Sequence, residues 1–386
     1  MLEFGEEQDF KYIVNIKVIG VGGGGTNAVK HMINSDMKGI DFWVANTDSQ
    51  SLASFNKENR IYLGQNLTKG LGAGADPAKG KQAAEESEDA IKTALRGADM
   101  VFIAAGMGGG TGTGAAPVIA KIAQSLGALT VAVVTTPFGF EGGKRRAQAS
   151  EGLQELRPNV DSLIVVSNET LLQMYGNVPL NDAFVHANDI LMQSVRAITN
   201  VVSENSKINL DFADIKTVMH DKGTAMIGMG KGFGDSKARD AATLAISSPL
   251  LGSTLKGAKN AIVDIVGSNT MTLQDANEAV ELIREAAGEH INIIFGVSVD
   301  ENAALTEKEH DYMCVTVIAT EFSNTNHSRI ALDPALQKIM EPKPISIEEP
   351  TPNNIEKINE NNITSVEEDS EGIDIDFALP SFLRRR

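Results

Sequence analysis

The sequence is poor in cysteine and in positive charge, and it has no long apolar run. One cysteine, Cys314, among 386 residues excludes a disulfide within the chain and predicts a buried, reduced thiol. The net charge of −17 argues against a nucleic-acid surface, because phosphate backbones are bound by clustered Lys and Arg. No apolar run approaches the roughly 18 residues of a membrane span, and the N-terminus MLEFGEEQDF is acidic where a signal peptide is basic. We therefore expect a soluble, cytoplasmic protein.

Glycine, by contrast, is concentrated at two places where a strand is expected to meet a helix. The sequence GGGTGTG, residues 108–114, lies between an apolar run and a helical stretch. Unpaired backbone N–H groups at such a junction, together with the helix dipole, favour an anion, and Thr111 and Thr113 add hydroxyl groups. The sequence GVGGGGTN, residues 20–27, follows another strand-like run. Two glycine loops on one sheet predict a site for a multiply charged phosphate chain.

Short β-rich runs alternate with helical segments between residues 12 and 179, which predicts a doubly wound, mostly parallel α/β sheet. Ligands of such sheets bind beyond the carboxyl ends of the strands, where both glycine loops are expected. Residues 180–205 predict one long central helix, and residues 206–332 a second, smaller α/β domain. The strand candidates are residues 14–19, 42–45, 100–105, 129–134, 163–166, 261–266, 291–297 and 314–319, and the helix candidates outside the central helix are 115–126, 236–245 and 273–287.

The two ends of the chain differ in composition from its body. Residues 1–11 predict a flexible N-terminus. Residues 333–372 are rich in Pro, Glu and Asn and lack a sustained period, which predicts a disordered linker. Residues 373–386 regain apolar side chains and finish in three arginines, a pattern typical of a docking peptide. A frayed end with incidental apolar residues is the alternative for this last segment.

Several classes of site compete for the two glycine loops. Residues 20–25 satisfy the G-x-G-x-x-G pattern of dinucleotide-binding enzymes, but the second loop and the absence of an evident hydride-transfer pair count against a dehydrogenase. The P-loop pattern G-x-x-x-x-G-K-[ST] does not occur in the sequence. Plain tight turns are disfavoured, because adjacent glycines cost folding entropy without a compensating ligand. The six histidines show no metal-ligand spacing, so we expect no metal held by protein side chains.

Six sequence blocks together resemble the FtsZ family, the bacterial cell-division GTPases related to tubulin. They are GGGTGTG, GGGGTN, NTD at residues 46–48, GLGAGADP at 70–77, TTPFGFEG at 135–142 and NLDFADIK at 209–216. The resemblance runs from about residue 15 to about residue 320 and resumes in the terminal peptide. It implies a tubulin-like fold with a GTP-binding domain at residues 12–179 and a GTPase-activating domain at 206–332. It also implies a cytoskeletal GTPase that polymerises into the cytokinetic ring at mid-cell.

The resemblance also implies roles for individual residues around GTP or GDP. Glu141 and Arg145 would address the ribose and phosphate region, with a surface ion pair as the alternative. Asn168 and Asp189 would read the guanine edge, because guanine offers N–H donors to a carboxylate that adenine lacks; a solvated helix acid is the alternative for Asp189. Phe184 is a candidate for stacking on the base or for the core. Mg²⁺ would be held only through the nucleotide phosphates. The residues that would line the phosphates and ribose are Gly23, Gly24, Gly25, Thr26, Asn27, Gly110, Thr111 and Gly112.

Asp211 and Asp214 are the candidate catalytic residues. Three apart at a helix start, they share a face and are suited to orient a water for attack on a γ-phosphate. The alternative is that they cap the helix, since Asp is common in a first turn. The resemblance favours catalysis and implies that both acids act on the nucleotide of the next subunit, so that hydrolysis depends on head-to-tail assembly. It further implies that the terminal peptide binds an FtsA-like membrane tether and other division proteins, which makes any membrane contact indirect.

Overall fold

The computed structural model describes residues 14–202, 211–252, 255–288, 290–300 and 311–322. The predicted flexible N-terminus, the linker at residues 333–372 and the docking peptide at 373–386 lie outside these residues. The strands are β1 (Ile16–Val21), β2 (Ile40–Asn46), β3 (Arg60–Tyr62), β4 (Met100–Gly106), β5 (Leu129–Thr136), β6 (Ser162–Ser167), β7 (Gly223–Phe233), β8 (Ala258–Gly267), β9 (Asn292–Val299) and β10 (Tyr312–Phe322). The helices are α1 (Gly22–Asn34), α2 (Ser49–Leu52), α3 (Gln65–Thr68), α4 (Pro77–Glu86), α5 (Glu88–Leu95), α6 (Thr111–Ser125), α7 (Gly143–Leu156), α8 (Asn168–Tyr175), α9 (Leu180–Val202), α10 (Phe212–Met219), α11 (Lys237–Ile246) and α12 (Leu273–Ala287).

The described strands form one sheet in the order β3-β2-β1-β4-β5-β6-β7-β10-β8-β9. The pairs from β3 through β7 are parallel, and β10 runs antiparallel to both β7 and β8. Helices α1 and α9 pack on one face of the first six strands and α4 to α7 on the other, so both faces are buried. This arrangement confirms the predicted doubly wound α/β fold, and it aligns the carboxyl ends of β1, β4, β5 and β6 along one edge.

Helix α9 is the long central helix that the sequence predicts. It covers 23 residues, about 34 Å at the rise of an α-helix, and its predicted last residues lie outside the described chain. Its apolar side chains Ile190, Leu191, Val195, Ile198 and Val201 are buried in a core shared with both halves of the sheet. The helix therefore connects the first six strands with the C-terminal strands.

Strands β3 and β7 were not predicted. Strand β7 was missed because it is rich in glycine, which is unfavourable in strands. Ideal Cβ atoms on Gly228, Gly230 and Gly232 would lie 2.1 to 2.2 Å from carbonyl oxygens of α11. The backbone of α11 thus rests directly on the backbone of β7. Strand propensity counts glycine as unfavourable, yet here it permits a helix contact that any side chain would block.

Gly230→Ala is expected to destabilise the fold through this contact. The added Cβ would meet the Ala241 carbonyl oxygen at 2.1 Å, so α11 must move away from β7. We expect a loss of about 2–4 kcal/mol in the free energy of unfolding, measured by urea denaturation. The neighbouring Lys231→Ala removes an exposed side chain over two aromatic rings and should cost about 1 kcal/mol or less. Equal losses for the two variants would contradict the close packing of α11.

Two side chains on the C-terminal strands, Cys314 and Asp264, have pKa values that burial raises. Cys314 of β10 is half-buried, and burial raises the pKa of its thiol, as expected for a structural cysteine. Asp264 of β8 is buried beneath α9, where Asn200 Nδ2 donates to Oδ2 at 3.1 Å and to Oδ1 at 3.4 Å. Burial raises the pKa of Asp264 to about 8, against the opposing effects of Asn200 and the Arg196 charge.

Asp264→Asn is expected to reduce the loss of stability at alkaline pH. Because the folded-state pKa is raised, the stabilising contribution of the protonated carboxyl is complete below the unfolded pKa of 3.8 and is lost as the pH rises through about 8. Between about pH 5 and about pH 9 the variant should lose roughly 4 kcal/mol less than the wild type in urea denaturation. Asp235→Asn, which changes an exposed carboxylate, should retain the wild-type profile. If wild type and Asp264→Asn lost the same free energy of unfolding as the pH rose, the loss would come from a group other than Asp264.

Candidate functional site

The first glycine segment forms a helix start rather than a loop. Strand β1 ends at Val21 and α1 begins at Gly22, with no side-chain hydrogen bond capping its amino end. An ideal Cβ on Gly25 would lie 2.1 Å from the Ala104 carbonyl oxygen of β4, whereas one on Gly23 would have no atom within 4 Å. Gly25 therefore lets α1 pack against β4, and the exposed Gly23 faces open space with the uncapped N–H groups of the first turn. The predicted loop at residues 20–27 is wrong from Gly22 onward, because close packing overrides the low helix propensity of glycine.

The next two predicted residues of α1 differ in where their side chains lie. Thr26 is buried, and its hydroxyl donates to the Gly22 carbonyl oxygen at 2.7 Å. Asn27 is exposed one residue later on the same turn. A contribution of Thr26 to a ligand would therefore come from its backbone.

The second glycine segment connects β4 with α6. Gly110 stands at the amino end of α6, which again has no side-chain cap. Thr113 is buried, and its hydroxyl oxygen accepts a hydrogen bond from the Gly108 N–H at 2.8 Å, so this side chain closes the loop. The prediction that both threonine hydroxyls face a ligand is wrong for Thr113. The half-buried Thr111 has its hydroxyl 2.6 Å from that of Thr47.

The two helix starts lie against each other. An ideal Cβ on Gly22 would lie 2.7 Å from the Gly112 nitrogen, and one on Gly24 would lie 3.2 Å from Gly106 Cα. The uncapped amino ends of α1 and α6 therefore share one edge of the sheet, with their positive dipole ends side by side. Such an arrangement suits a ligand with more than one phosphate.

Residues 70–76 form a third wall of the site beside the two glycine segments. They belong to the sequence block GLGAGADP, to which the sequence analysis assigned no role. An ideal Cβ on Gly110 would lie 2.8 Å from the Asp76 nitrogen and 2.9 Å from Ala73 Cβ, so this segment lies directly on the second glycine segment. Positive φ angles occur at Gly70, Gly72 and Gly74 and also at Ala75, where they are uncommon for a residue with a Cβ. In the sequence, the alternation of glycine and alanine before Asp-Pro was the signal that could have indicated this wall. We call residues 22–25, 70–76 and 108–112 together the phosphate cradle.

Glu141 and Arg145 form the ion pair expected from their spacing, at the carboxyl end of β5. Glu141 is half-buried, and it also accepts a hydrogen bond from the Phe138 N–H at 2.9 Å. The pair is thus tied to the turn at residues 138–141, while the Arg145 guanidinium is exposed beside it. Arg145 is available to an anion bound at this edge.

Asn168 is the first residue of α8, directly after β6. Its side chain is buried, and within the described residues its Oδ1 atom has no hydrogen-bond partner. A buried polar atom without a partner costs about 1–3 kcal/mol, so this oxygen points to a donor on a ligand.

Phe184 and Asp189 lie in the first half of α9, as its fifth and tenth residues. Asp189 is half-buried and hydrogen-bonded to His31, with 39% of its side chain exposed. Phe184 is exposed and contacts the buried Phe138 edge-to-face, with 5.4 Å between ring centroids. The Phe184 ring is thereby held against the core, and its exposed part is available for stacking.

The candidate catalytic acids are not beside the cradle of their own chain. The last residue of α10, Met219, accepts a hydrogen bond from Ser162 at the amino end of β6, and Arg196 near the end of α9 reaches the Ser35 carbonyl oxygen at the far end of α1. Helix α10 and the last turns of α9 are therefore anchored at the edge of the sheet opposite the cradle. The two edges are one strand length, or about 20 Å, apart. Asp211 and Asp214 are exposed, and Asp211 makes no side-chain cap hydrogen bond to α10.

The part of the chain that the structure describes holds neither a metal-ligand cluster nor a membrane-spanning helix. No group of three or more His, Cys, Asp or Glu side chains there has the geometry of a metal site. No helix among these residues is long and apolar enough to cross a bilayer.

Comparisons with known proteins agree with this geometry. Residues 15–176 match the Tubulin/FtsZ family GTPase domain, and residues 223–323 match the FtsZ family C-terminal domain. The chain is 50% identical over 318 residues to the cell division protein FtsZ of Mycoplasmopsis pulmonis (strain UAB CTIP), covering 82% of this chain and 80% of that protein. It is similar to an FtsZ dimer from M. jannaschii, with a TM-score of 0.76 and 39% identity over 81% of this chain and 89% of that one. GDP-bound CetZ1 from Haloferax volcanii shares the fold, with a TM-score of 0.68 and 20% identity over 84% of this chain and 98% of that one.

Proposed function

The chain belongs to the FtsZ family of tubulin-like GTPases, and on this premise we propose that it hydrolyses GTP to GDP and phosphate within head-to-tail filaments. The filaments form the cytokinetic ring at the bacterial division site, in the cytoplasm. One observation carries the proposal: the phosphate cradle and the candidate catalytic acids are attached to opposite edges of one sheet.

The cradle supports GTP binding through backbone groups. Residues Gly23 to Asn27 bind the phosphates and ribose from α1, and Gly110, Thr111 and Gly112 bind the β- and γ-phosphates from α6. Uncapped N–H groups at both helix starts supply the donors that a triphosphate requires. Mg²⁺ would be held through the phosphates and water, since the described cradle offers no carboxylate cluster.

The sides of the cradle support recognition of the sugar and the base. Glu141 and Arg145 address the ribose and phosphates, and the buried Asn168 oxygen accepts a donor from the nucleotide. Asp189 accepts from the guanine N1–H and exocyclic amino group, and Phe184 stacks on the ring. Guanine is preferred over adenine because adenine offers no matching pair of donors to a carboxylate.

Hydrolysis requires a group that the cradle lacks. Asp211 and Asp214 of one subunit orient the attacking water against the γ-phosphate bound by the next subunit. Their exposure supports this assignment, as does the absence of a cap hydrogen bond from the Asp211 side chain. A filament therefore completes one active site at every subunit contact, and the interface is heterologous, as an open polymer needs.

Apolar side chains at the rim of the cradle support a protein contact at this edge. Exposed large apolar residues are usually scattered singly over a monomer surface. Here several share the edge that bears the cradle: Leu67, Leu71, Phe140, Phe184 and Val185. A second copy of the chain covering the cradle would remove them from water. The terminal peptide at residues 373–386, outside the described residues, binds an FtsA-like membrane tether and other division proteins, so contact with the membrane is indirect.

The concentration dependence of GTP turnover tests the proposal. The rate per subunit is expected to rise steeply with protein concentration and then level off, because only assembled subunits have a complete site. GTP binding per subunit, measured on the same samples, should be unchanged across this range. A rate per subunit that stays constant down to the lowest concentration would contradict a site shared between subunits.

A further inference from the structure

A cluster of side chains beside Asp189 joins three helices that carry proposed nucleotide contacts. His31 lies in the last turn of α1, and His186 and Asp189 lie one turn apart in α9. Tyr175 ends α8, the helix that Asn168 begins, and its ring stacks on the His186 imidazole with 4.1 Å between centroids. The position of Asp189 is therefore set by contacts among α1, α8 and α9.

The two histidines contact the Asp189 carboxylate differently. His31 Nε2 is 2.5 Å from Oδ1, which is a hydrogen bond between partly buried groups. His186 Nδ1 is 3.8 Å from Oδ2, which is beyond hydrogen-bond distance. Oδ1 is thus held by α1, while Oδ2 remains available to another donor. A carboxylate without the first contact would sample several side-chain rotamers.

We propose that His31 is a positioning residue that aligns the Asp189 carboxylate with the guanine base and thereby sets the preference for guanine over bases without its exocyclic amino group. The inference rests on the proposed GTP-binding function, which places the guanine edge at Asp189. Guanine presents its N1–H and amino group side by side, and a carboxylate accepts both only when its plane is aligned with the base. Oδ1 keeps a second lone pair beside the His31 hydrogen bond, so both oxygens can accept from guanine.

His31 is also well placed to relate the two ends of the nucleotide. The exposed glycines at the start of α1 bind phosphate in the proposed function, and His31 lies on the same rigid helix less than three turns later. A hydrogen bond from this helix to Asp189 fixes the distance between the phosphate donors and the base acceptor. Only a nucleotide that satisfies both ends benefits from the alignment.

Equilibrium binding of GDP and inosine diphosphate to the full chain tests the proposal, because neither ligand has a γ-phosphate to hydrolyse and hypoxanthine lacks the amino group. His31→Ala is expected to weaken GDP binding about tenfold and inosine diphosphate binding less than about threefold, because the aligned acceptor of the amino group is lost. His31→Gln retains an N–H donor near the position of Nε2 and should return the GDP preference to within about threefold of wild type. If the alanine variant does not fold, His31→Leu preserves bulk without a donor and takes its place.

His220→Ala is the matched control, because His220 Nδ1 makes a similar 2.6 Å contact with Asp161 at the opposite edge. It should leave both affinities within about twofold of wild type, since it is remote from the base. Equal losses of GDP and inosine diphosphate affinity in His31→Ala would indicate a purely structural role and overturn the inference alone. Failure of the wild-type chain to bind either nucleotide would overturn the proposed function and this inference with it.

Discussion

Asp211→Asn is expected to lower GTP turnover by at least about 100-fold while GTP binding is retained, because the change removes the charge that orients the attacking water. Asparagine has the same shape as aspartate, and the Asp211 side chain makes no cap hydrogen bond that the change would break. The phosphate cradle, attached at the other edge of the sheet, is untouched. Phosphate release and nucleotide binding, measured on the same preparation, separate the two effects.

A control and a mixing experiment sharpen this prediction. Asp235→Asn makes the same change at an exposed carboxylate elsewhere in the C-terminal half and should turn over GTP at the wild-type rate. Mixing Asp211→Asn with a variant that has intact acids but cannot bind GTP should restore part of the turnover, because each contributes the half-site that the other lacks. Undiminished turnover by Asp211→Asn alone would show that this carboxylate does not act on the nucleotide.

All strands of the first half except β3 were predictable from sequence, because most of their residues are buried in a continuous run. Residues 100–105 are apolar throughout, as expected of a parallel strand covered by helices on both faces, and they form most of β4. Strand β7 gave no such signal, since its glycines serve the contact with α11 rather than the strand itself. The helical start at Gly22 was missed for a related reason. In both places a contact distant in sequence decides the conformation, and local propensity points the other way.

The candidate site was predictable in its composition but not in its layout. Glycine runs between strand-like and helical stretches were sufficient to identify the phosphate loops, and the family resemblance supplied Asn168 and Asp189. The wall at residues 70–76 and the buried hydroxyl of Thr113 depend on how loops pack against each other, which spacing does not encode. The separation of Asp211 from the cradle follows from the path of α9 across the sheet. The sequence alone places the two acids on one face of a helix without indicating which edge that helix occupies.

Gly23→Val is expected to weaken GTP binding by about 100-fold without loss of stability, because the side chain enters the space in which the proposed phosphates lie. An ideal Cβ at this position meets no protein atom within 4 Å, so the folded chain can accept the substitution. Valine also has a higher helix propensity than glycine, which should raise the free energy of unfolding by up to about 0.5 kcal/mol. Nucleotide binding and urea denaturation without nucleotide measure the two effects separately.

Gly25→Ala, in the same turn of α1, provides the contrast that makes this prediction specific. Its Cβ would lie 2.1 Å from the Ala104 carbonyl oxygen, so this smaller substitution must displace α1 from β4 and should cost about 2–3 kcal/mol of stability together with GTP binding. Stability and binding are thus expected to separate at Gly23 and to fall together at Gly25. If Gly23→Val bound GTP with wild-type affinity, the first turn of α1 would not contact the phosphates. The cradle would then be reduced to the amino end of α6 and residues 70–76, which offer fewer uncapped N–H groups than a triphosphate requires.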